Sequence, residues 1–253
     1  MSDSAAPAYL ETRDGVRIAH HRTPGRAPGV VFLGGFASDM QGTKATALEA
    51  WARERGRAFV RFDYQGHGQS SGRFVDGTLT QWLADSLAVL DHLTDGPQIL
   101  VGSSMGGCIM LLAALQRPER VAGLVGLAAA PDFTEDLLLQ SLDDDARATL
   151  DREGIYDMPS PYGEPTPLSR ALIEDGRSHL LLRGTIELTC PVRLIHGMRD
   201  EDVPWEWSLR TQAALASEDV EVTLVKNADH RLSTPADLRR LESTLDGLLG
   251  ERA

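Results

Sequence analysis

The feature that most constrains this chain is a glycine-flanked serine at the junction of a predicted strand and a predicted helix. Ile99–Val101 is apolar and strand-like, Cys108–Gln116 has the composition of a buried helix, and the turn GSSMG (residues 102–106) joins them. Bulky residues two positions from the serine would clash in so tight a turn. We therefore expect Ser104 at the carboxyl edge of a sheet, at the N-terminus of the next helix.

Short apolar runs alternate with amphipathic segments along most of the chain. The runs predict strands at Val30–Leu33, Ala58–Phe62, Val121–Ala128, Val192–His196 and Val220–Val225. Helical spacing predicts helices at Thr43–Arg55, Leu79–Leu93 and Ala236–Leu249, and an opening hairpin is expected around the turn at Asp14-Gly15. Because strands alternate with helices, we expect a mostly parallel central sheet with helices on both faces.

The length of 253 residues fits one α/β domain, which we expect to span residues 1–253. One segment, from about residue 131 to residue 189, interrupts the alternation of strands and helices. It contains three consecutive aspartates (143–145) and five prolines. We interpret it as a small cap, inserted between two core strands, that covers a binding site and shapes its pocket.

Composition and charge exclude several classes of protein. The net charge of −12 argues against a nucleic-acid surface, which needs clustered Lys and Arg. We find neither a run of about 18 apolar residues typical of a membrane span nor the N-terminal pattern of a signal peptide. Cys108 and Cys190 form no metal-binding or redox motif. We expect a cytoplasmic protein without structural zinc, present as a monomer or a homodimer.

Ser104 can act as a nucleophile only if a base removes its proton. The sequence has seven histidines, and His230 alone follows the last predicted strand and precedes the final helix. His67 and His179 are the other histidines on loops that could reach a site. The acid that orients the base is expected between serine and histidine in the chain, as in α/β-hydrolases. Ser104 and His230 are thus the predicted nucleophile and base.

The loop after the predicted strand Val192–His196 supplies the candidate acid. Asp200 is our choice, because it lies just beyond the strand and could accept a hydrogen bond from Nδ1 of the base. Glu201 and Asp202 are on the same loop and remain rivals.

Attack on a carbonyl also needs N–H donors for the developing oxyanion. We expect one from the backbone of Met105 and the other from the backbone of Phe36. Gly35, Trp205 and His179 are predicted to line the substrate pocket. The chemistry requires no metal and no cofactor.

Longer strings carry a more specific signal than the serine turn. The chain resembles the α/β-hydrolase domain-containing family that includes a mitochondrial palmitoyl-protein thioesterase, also described as a mycophenolic acid acyl-glucuronide esterase. The resemblance rests on FLGGFASDMQGTKATALE, VRFDYQGHGQSSG, DGPQILVGSSMGGCIMLLAAL, CPVRLIHGMRDEDVPW and ADHR. It implies an α/β-hydrolase fold, hydrolysis of acyl esters and S-acyl thioesters, and a triad at Ser104, Asp200 and His230.

A serine hydrolase acting on a small acyl ester or thioester is therefore the predicted function, with S-depalmitoylation or acyl-glucuronide hydrolysis as specific forms of it. Two alternatives stay open. The same triad could hydrolyse C–C bonds or act as a perhydrolase, since a fold does not fix its chemistry. The fold could also serve as a non-catalytic receptor that binds a small ligand.

Overall fold

The structure is a computed structural model that describes residues 6–12, 15–159 and 163–250. Its strands are β1 (Ala8–Glu11), β2 (Arg17–Thr23), β3 (Arg26–Leu33), β4 (Arg57–Phe62), β5 (Gln98–Ser103), β6 (Val121–Leu127), β7 (Ile155–Met158), β8 (Thr166–Ser169), β9 (Val192–Gly197) and β10 (Val220–Val225). Within the described residues, eight strands form one sheet in the order β1-β2-β4-β3-β5-β6-β9-β10. In this sheet the neighbours β4, β3, β5, β6, β9 and β10 pair in parallel, and β2 is antiparallel to both β1 and β4.

Helices cover both faces of the sheet. They are α1 (Thr43–Glu54), α2 (Leu79–Leu93), α3 (Met105–Gln116), α4 (Leu139–Ser141), α5 (Asp144–Glu153), α6 (Arg170–Gly176), α7 (Glu206–Ala214) and α8 (Pro235–Leu248). Helices α1 and α8 share one apolar cluster with the sheet, and α2 and α3 belong to a second cluster on the other face. This is the predicted sheet with a helical layer on each side.

The central strands are buried on both faces, which explains their continuous apolar sequences. All six residues of β5 are buried, as are the first ten residues of α3. Strands β3, β5, β6 and β9 run in parallel, so their carboxyl ends lie at one edge of the sheet. The turns that follow these ends carry most of the predicted site residues.

The N-terminal strands form the predicted antiparallel hairpin. Ala8 pairs with His20 and Glu11 pairs with Arg17. Thr12 N–H donates to the carbonyl of Val16 at 2.9 Å, which closes the connection. Asp14, at which the turn was predicted, lies outside the described residues.

The segment between β6 and β9 consists of short elements. It contains a π-helical turn at Thr134–Leu138, helices α4 to α6, and the small antiparallel sheet of β7 and β8. Asp175 at the end of α6 accepts from Thr80 N–H at 2.9 Å and Thr80 Oγ1 at 2.6 Å, which joins the segment to α2. The cap over about residues 131–189 and the single-domain organisation stay predictions. In the part of the chain that the structure describes, no helix has the length and apolar character needed to cross a membrane.

Candidate active site

Ser104 lies between β5 and α3 in a strained backbone conformation. Its φ of 54° and ψ of −118° fall in a region that non-glycine residues rarely adopt. Such a residue costs of order 1–3 kcal/mol and persists only where its surroundings enforce it. Here Ser104 N–H donates to the Leu127 carbonyl at 2.9 Å, and the Ser104 carbonyl accepts from Gly107 N–H at 2.8 Å. The sharp turn predicted from the sequence is present.

The glycines on either side of Ser104 are required by close backbone approaches. A Cβ on Gly106 would run into the carbonyl oxygens of Leu33 and Gly34 at the end of β3. A Cβ on Gly102 would meet the backbone of Gly106. The serine turn is therefore packed directly against the strand that leads to the predicted oxyanion loop.

His230 and Asp200 are in direct contact, as their predicted roles require. His230 Nδ1 lies 2.8 Å from Asp200 Oδ2. The Asp200 side chain is fully buried, whereas that of His230 keeps 19% of its surface exposed. Asp200 Oδ1 accepts from the backbone N–H groups of Asp202 at 2.9 Å and Val203 at 2.8 Å. The loop thus fixes the carboxylate with one oxygen aimed at the imidazole.

A second histidine, His196, also binds this carboxylate, and sequence reasoning missed it. His196 Nε2 lies 3.1 Å from Asp200 Oδ2 and 3.0 Å from the Val203 carbonyl. Both of these atoms are acceptors, so Nε2 carries a proton, and Nδ1 lies 2.7 Å from Ser208 Oγ. In the sequence, His196 ends the predicted strand Val192–His196; its spacing of four residues from Asp200, across a tight loop, was the available signal.

The two imidazoles determine the charge state of the buried carboxylate. Burial by itself would raise the pKa of Asp200, but hydrogen bonds from His196 and His230 and the charge of His230 outweigh it. The pKa of Asp200 therefore lies well below its usual value. Asp200 is ionised at neutral pH and can stabilise a positively charged imidazole beside it.

The rival carboxylates on the same loop are placed differently. Glu201 and Asp202 are exposed, and both line a cavity beside Ser104. Asp200 is the carboxylate of this loop whose Oδ2 lies 2.8 Å from His230 Nδ1. One ligand atom each from Asp200, Asp202 and His230 lies within 4.8 Å of the others. The hydrogen bond to His230 already accounts for Asp200, and a metal-free site stays a prediction.

Two cavities meet at Ser104 and His230. The larger, of about 790 Å³, extends under the segment between β6 and β9; we call it the large cavity. Its apolar lining includes Phe133, Leu137, Leu138 and Met158. The smaller, of about 380 Å³, extends toward the start of α1; we call it the small cavity. Phe36, Ala37, Ser104 and His230 line both. Both residues lie in the described part of the chain, and the Ser104 hydroxyl makes no hydrogen bond to His230; such contacts often tighten only when substrate binds.

The predicted oxyanion donors lie beside the serine. Met105 is the first residue of α3, so its N–H has no acceptor within the helix. Phe36 lines both cavities, and the next residue, Ala37, has a φ of 54°. Gly35 also lines the small cavity, where a Cβ would come 3.5 Å from Ser104 Cβ. The donor roles of Met105 and Phe36 stay predictions.

Two predicted pocket residues do not line either cavity. His179 Nε2 instead lies 2.7 Å from Thr80 Oγ1, where α2 meets the segment after α6. Trp205 precedes α7, and its carbonyl accepts from Ser208 N–H at 3.1 Å; its neighbours Val203 and Pro204 reach the large cavity. Trp205 is the N-cap residue of α7, a position that the sequence pattern did not reveal.

The fold and the geometry of the site define the class of protein. A sequence model of the family described as the alpha/beta hydrolase fold matches residues 28–157. The chain belongs to the α/β-hydrolase family, and the predicted fold class and family resemblance are confirmed.

Particular relatives cover nearly the whole chain. Palmitoyl-protein thioesterase ABHD10, mitochondrial, of Homo sapiens is 40% identical over 244 residues, which are 96% of this chain and 79% of that protein. The structure of mouse alpha/beta hydrolase domain-containing protein 10 matches with a TM-score of 0.89 and 39% identity, covering 97% of this chain and 99% of that one. A hydrolase from Agrobacterium vitis S4 matches with a TM-score of 0.91 and 41% identity, covering 96% and 98%.

The prediction of a cytoplasmic protein is wrong. The relatives from Bos taurus, Homo sapiens and Mus musculus, each 40% identical to this chain, are named as mitochondrial. The prediction rested on the missing signal-peptide pattern and on two cysteines outside any motif. A low cysteine content fits any reducing compartment and does not separate one from another.

Proposed function

We propose that the protein is a serine hydrolase that cleaves acyl esters or thioesters through an acyl-Ser104 intermediate. The observation that carries the proposal is the 2.8 Å contact of His230 Nδ1 with the buried Asp200, beside a strained serine at a helix N-terminus. Ser104 and His230 line the same cavities, so one substrate can reach both. The names of the relatives support the same reaction class.

Acylation begins with attack of Ser104 Oγ on the substrate carbonyl. His230 Nε2 accepts the hydroxyl proton, and Asp200 stabilises the imidazolium through Nδ1–H. Collapse of the tetrahedral intermediate breaks the bond to the leaving group, which takes the proton from His230. The pKa of Asp200 is held low enough that the carboxylate keeps its charge throughout this step.

The oxyanion of the tetrahedral intermediate is stabilised by the N–H groups of Met105 and Phe36. The N-terminus of α3 adds its partial positive charge, because this helix begins immediately after Ser104. Loss of one such donor typically costs about 2.7–4 kcal/mol of transition-state stabilisation.

Deacylation follows the same path with water as the nucleophile. His230 removes a proton from a water molecule that attacks the acyl-Ser104 carbonyl, and then returns the proton to Ser104 Oγ. The products are a carboxylic acid and the free alcohol or thiol, and the enzyme regains its starting state.

The large cavity is the acyl site of this reaction. Its volume of about 790 Å³ and its apolar lining suit an alkyl chain. The relatives named as palmitoyl-protein thioesterases support an S-acyl substrate with a long chain. We expect kcat/KM to rise with acyl length over a graded series of p-nitrophenyl esters and acyl thioesters.

The first test is covalent labelling of the serine. A fluorophosphonate should label the intact protein at Ser104, and the label should disappear in Ser104→Ala together with at least a 10³-fold loss of ester hydrolysis. Ser103→Ala changes the adjacent serine and should keep the label. Labelling that survives in Ser104→Ala, or a wild type with neither label nor turnover of short p-nitrophenyl esters, would refute the mechanism.

A further inference from the structure

The two cavities that meet at Ser104 and His230 differ in chemistry. The large cavity adds apolar side chains from the segment after β6 and the carboxylates of Asp136, Glu201 and Asp202. The small cavity adds polar residues, among them the cations Lys44 and Arg231 and the carboxylate of Asp39. If the large cavity receives the acyl group, the small cavity is the space left beside the reacting carbonyl for the leaving group.

Lys44 contributes a positive charge to the lining of the small cavity. The sequence contains only two lysines, Lys44 and Lys226, and uses arginine for its other cations. Lys44 Nζ donates to the carbonyl of Arg231, the residue after His230, at 2.5 Å. Burial and the positive charge of Arg231 lower the pKa of Lys44 to about 8, although Asp229 and Asp237 oppose the shift.

The position of Lys44 does not stabilise the helix that carries it. Lys44 is the second residue of α1, and the first turn of this helix contains no acidic residue. A cation in the first turn is unfavourable, because the helix N-terminus already carries partial positive charge. Lys44 therefore lowers the stability of α1, and the contacts that its side chain makes in the small cavity are the other consequence of its position.

The hydrogen bond from Lys44 to the loop of His230 explains one of the three N–H donors of its ammonium group, but not its charge. The carbonyl of Arg231 needs one N–H donor and no formal charge, whereas an ammonium has three N–H groups. Nearby hydroxyls of Ser38 and Ser233 donate to the carbonyls of Gly35 and Arg231. Asp39, which also lines the cavity, accepts from Gln41 N–H at 2.8 Å. The charge of Lys44 is also stabilised by Asp229 and Asp237, and the side chain lines the cavity beside Ser104.

We propose that the small cavity is an anion subsite in which Lys44 binds a carboxylate or phosphate on the leaving group of the substrate. Arg231 lines the same cavity and adds positive charge at its rim. The inference rests on the proposed function, because Ser104 must attack the carbonyl for the leaving group to lie there. It goes beyond that function by assigning a charge to the part of the substrate that departs.

The test compares leaving groups of different charge, and their different intrinsic reactivity cancels when one ratio is compared between variants. Three hexanoate esters are hydrolysed by each variant: 4-nitrophenyl, 3-carboxy-4-nitrophenyl and 4-(phosphonooxy)phenyl hexanoate. The measured quantity is the ratio of kcat/KM for each anionic ester to that for the neutral ester, so differences in folded fraction cancel. Lys44→Gln removes the charge but keeps an N–H donor for the Arg231 carbonyl. Lys226→Gln is the matched control for loss of one positive charge.

We expect Lys44→Gln to lower the anionic-to-neutral ratio about tenfold, the size of one charge-assisted hydrogen bond, and Lys226→Gln to leave the ratio at its wild-type value. The anionic ester with the larger decrease identifies the favoured anion. If Lys44→Gln slows all three esters equally, Lys44 only holds the loop of His230 and the proposal is overturned.

A second measurement separates failure of this inference from failure of the proposed function. Trinitrobenzenesulfonate labels amines, and mass spectrometry reports Lys44 and Lys226 separately. If the wild type hydrolyses none of the esters, the proposed function fails, but 4-hydroxybenzoate or inorganic phosphate should still slow labelling of Lys44 several-fold more than that of Lys226. Equal rates of labelling with and without these anions would overturn the subsite.

Discussion

The acid loop and the segment between β6 and β9 are held in place by different kinds of interaction. Asp200 is fully buried and is bound by two backbone N–H groups and two histidines. The other segment packs buried apolar residues such as Leu168 and Leu172 into the core. Partly exposed ion pairs, such as Arg177 with Glu135 and Arg183 with Asp136, connect its parts. Exposed pairs contribute about 0–1 kcal/mol each. The carboxylate proposed for catalysis is thus held by buried hydrogen bonds, whereas the charged groups beside the proposed acyl site are held by partly exposed ion pairs.

The strongest test of this contrast is Asp200→Asn. The amide keeps the size of the side chain but cannot stabilise a charged imidazole, and we expect kcat to fall about 10⁴-fold with little change in KM. Hydrolysis of a p-nitrophenyl ester measures both constants. Asp202→Asn is the matched control, and its loss of kcat should be far smaller. A larger loss in Asp202→Asn would transfer the role of the acid to that residue.

His196 tests whether the buried contacts of Asp200 contribute to catalysis, because it binds Asp200 and lines neither of the two cavities. We expect His196→Ala to lower kcat about 10- to 100-fold, since Asp200 loses a hydrogen bond of the charge-assisted kind. The acidic limb of the pH profile of kcat/KM should move to higher pH, because the carboxylate then interacts with His230 alone. His196→Gln, which keeps a donor, should recover part of the rate. Equal losses in both variants with an unmoved profile would indicate a purely structural role.

Asp85 is a buried carboxylate that lacks the partners of Asp200. It accepts two hydrogen bonds from Gln65, both at 2.8 Å, and burial raises its pKa to about 6. The folded protein therefore favours the protonated carboxyl of Asp85 more than the unfolded chain does. The resulting contribution to the unfolding free energy is complete below the unfolded pKa of about 3.9 and is lost as the pH rises through about 6.

Urea unfolding of Asp85→Asn and wild type at pH 4.5 and pH 8 measures this loss. We expect the stability of the variant relative to wild type to be about 1–2 kcal/mol higher at pH 8 than at pH 4.5. A relative stability that does not change between the two pH values would show that Asp85 is ionised in the folded protein at both.

The smallest effect is expected in the segment between β6 and β9. Arg183 contacts Asp136, whose carboxylate lines the large cavity and whose pKa is lowered by hydrogen bonds from Arg183 and Arg210. Arg183→Ala should change the preference among acyl lengths a few-fold and the unfolding free energy by less than about 1 kcal/mol. Arg177→Ala breaks the pair with Glu135, which does not line the cavity, and should keep the wild-type preference. Equal shifts in both variants would contradict a specific role of Asp136.

The core elements were predictable because their sequences are locally consistent. Leu79–Leu93 was predicted to the residue, and the last helix was predicted at Ala236–Leu249 against the observed Pro235–Leu248. In both helices the apolar spacing and the capping residues agree with the buried face. The strand before Ser104 was also predictable, because the turn that follows it requires glycine at both position 102 and position 106.

The segment between β6 and β9 was not predictable in detail. Its π-helical turn and the four-residue strands β7 and β8 have no periodicity long enough to detect. They are stabilised by contacts with distant residues, as where Asp132 accepts from the N–H groups of Leu181 and Leu182. The role of His196 was missed for a related reason: a tight loop brings it to Asp200, and side-chain contacts across a loop leave no periodic pattern.

The missing side chain at Gly106 has a consequence for how substrates can be accommodated. Gly106 contacts the main chain at the end of β3, so the turn that carries Ser104 is packed against the loop that carries Phe36. Main-chain contacts therefore fix the distance between Ser104 Oγ and the proposed amide donors, and substitutions of other side chains do not change it. Adaptation to a longer acyl group or a differently charged leaving group must then come from residues farther out. Variation between related hydrolases should accordingly concentrate in the walls of the two cavities.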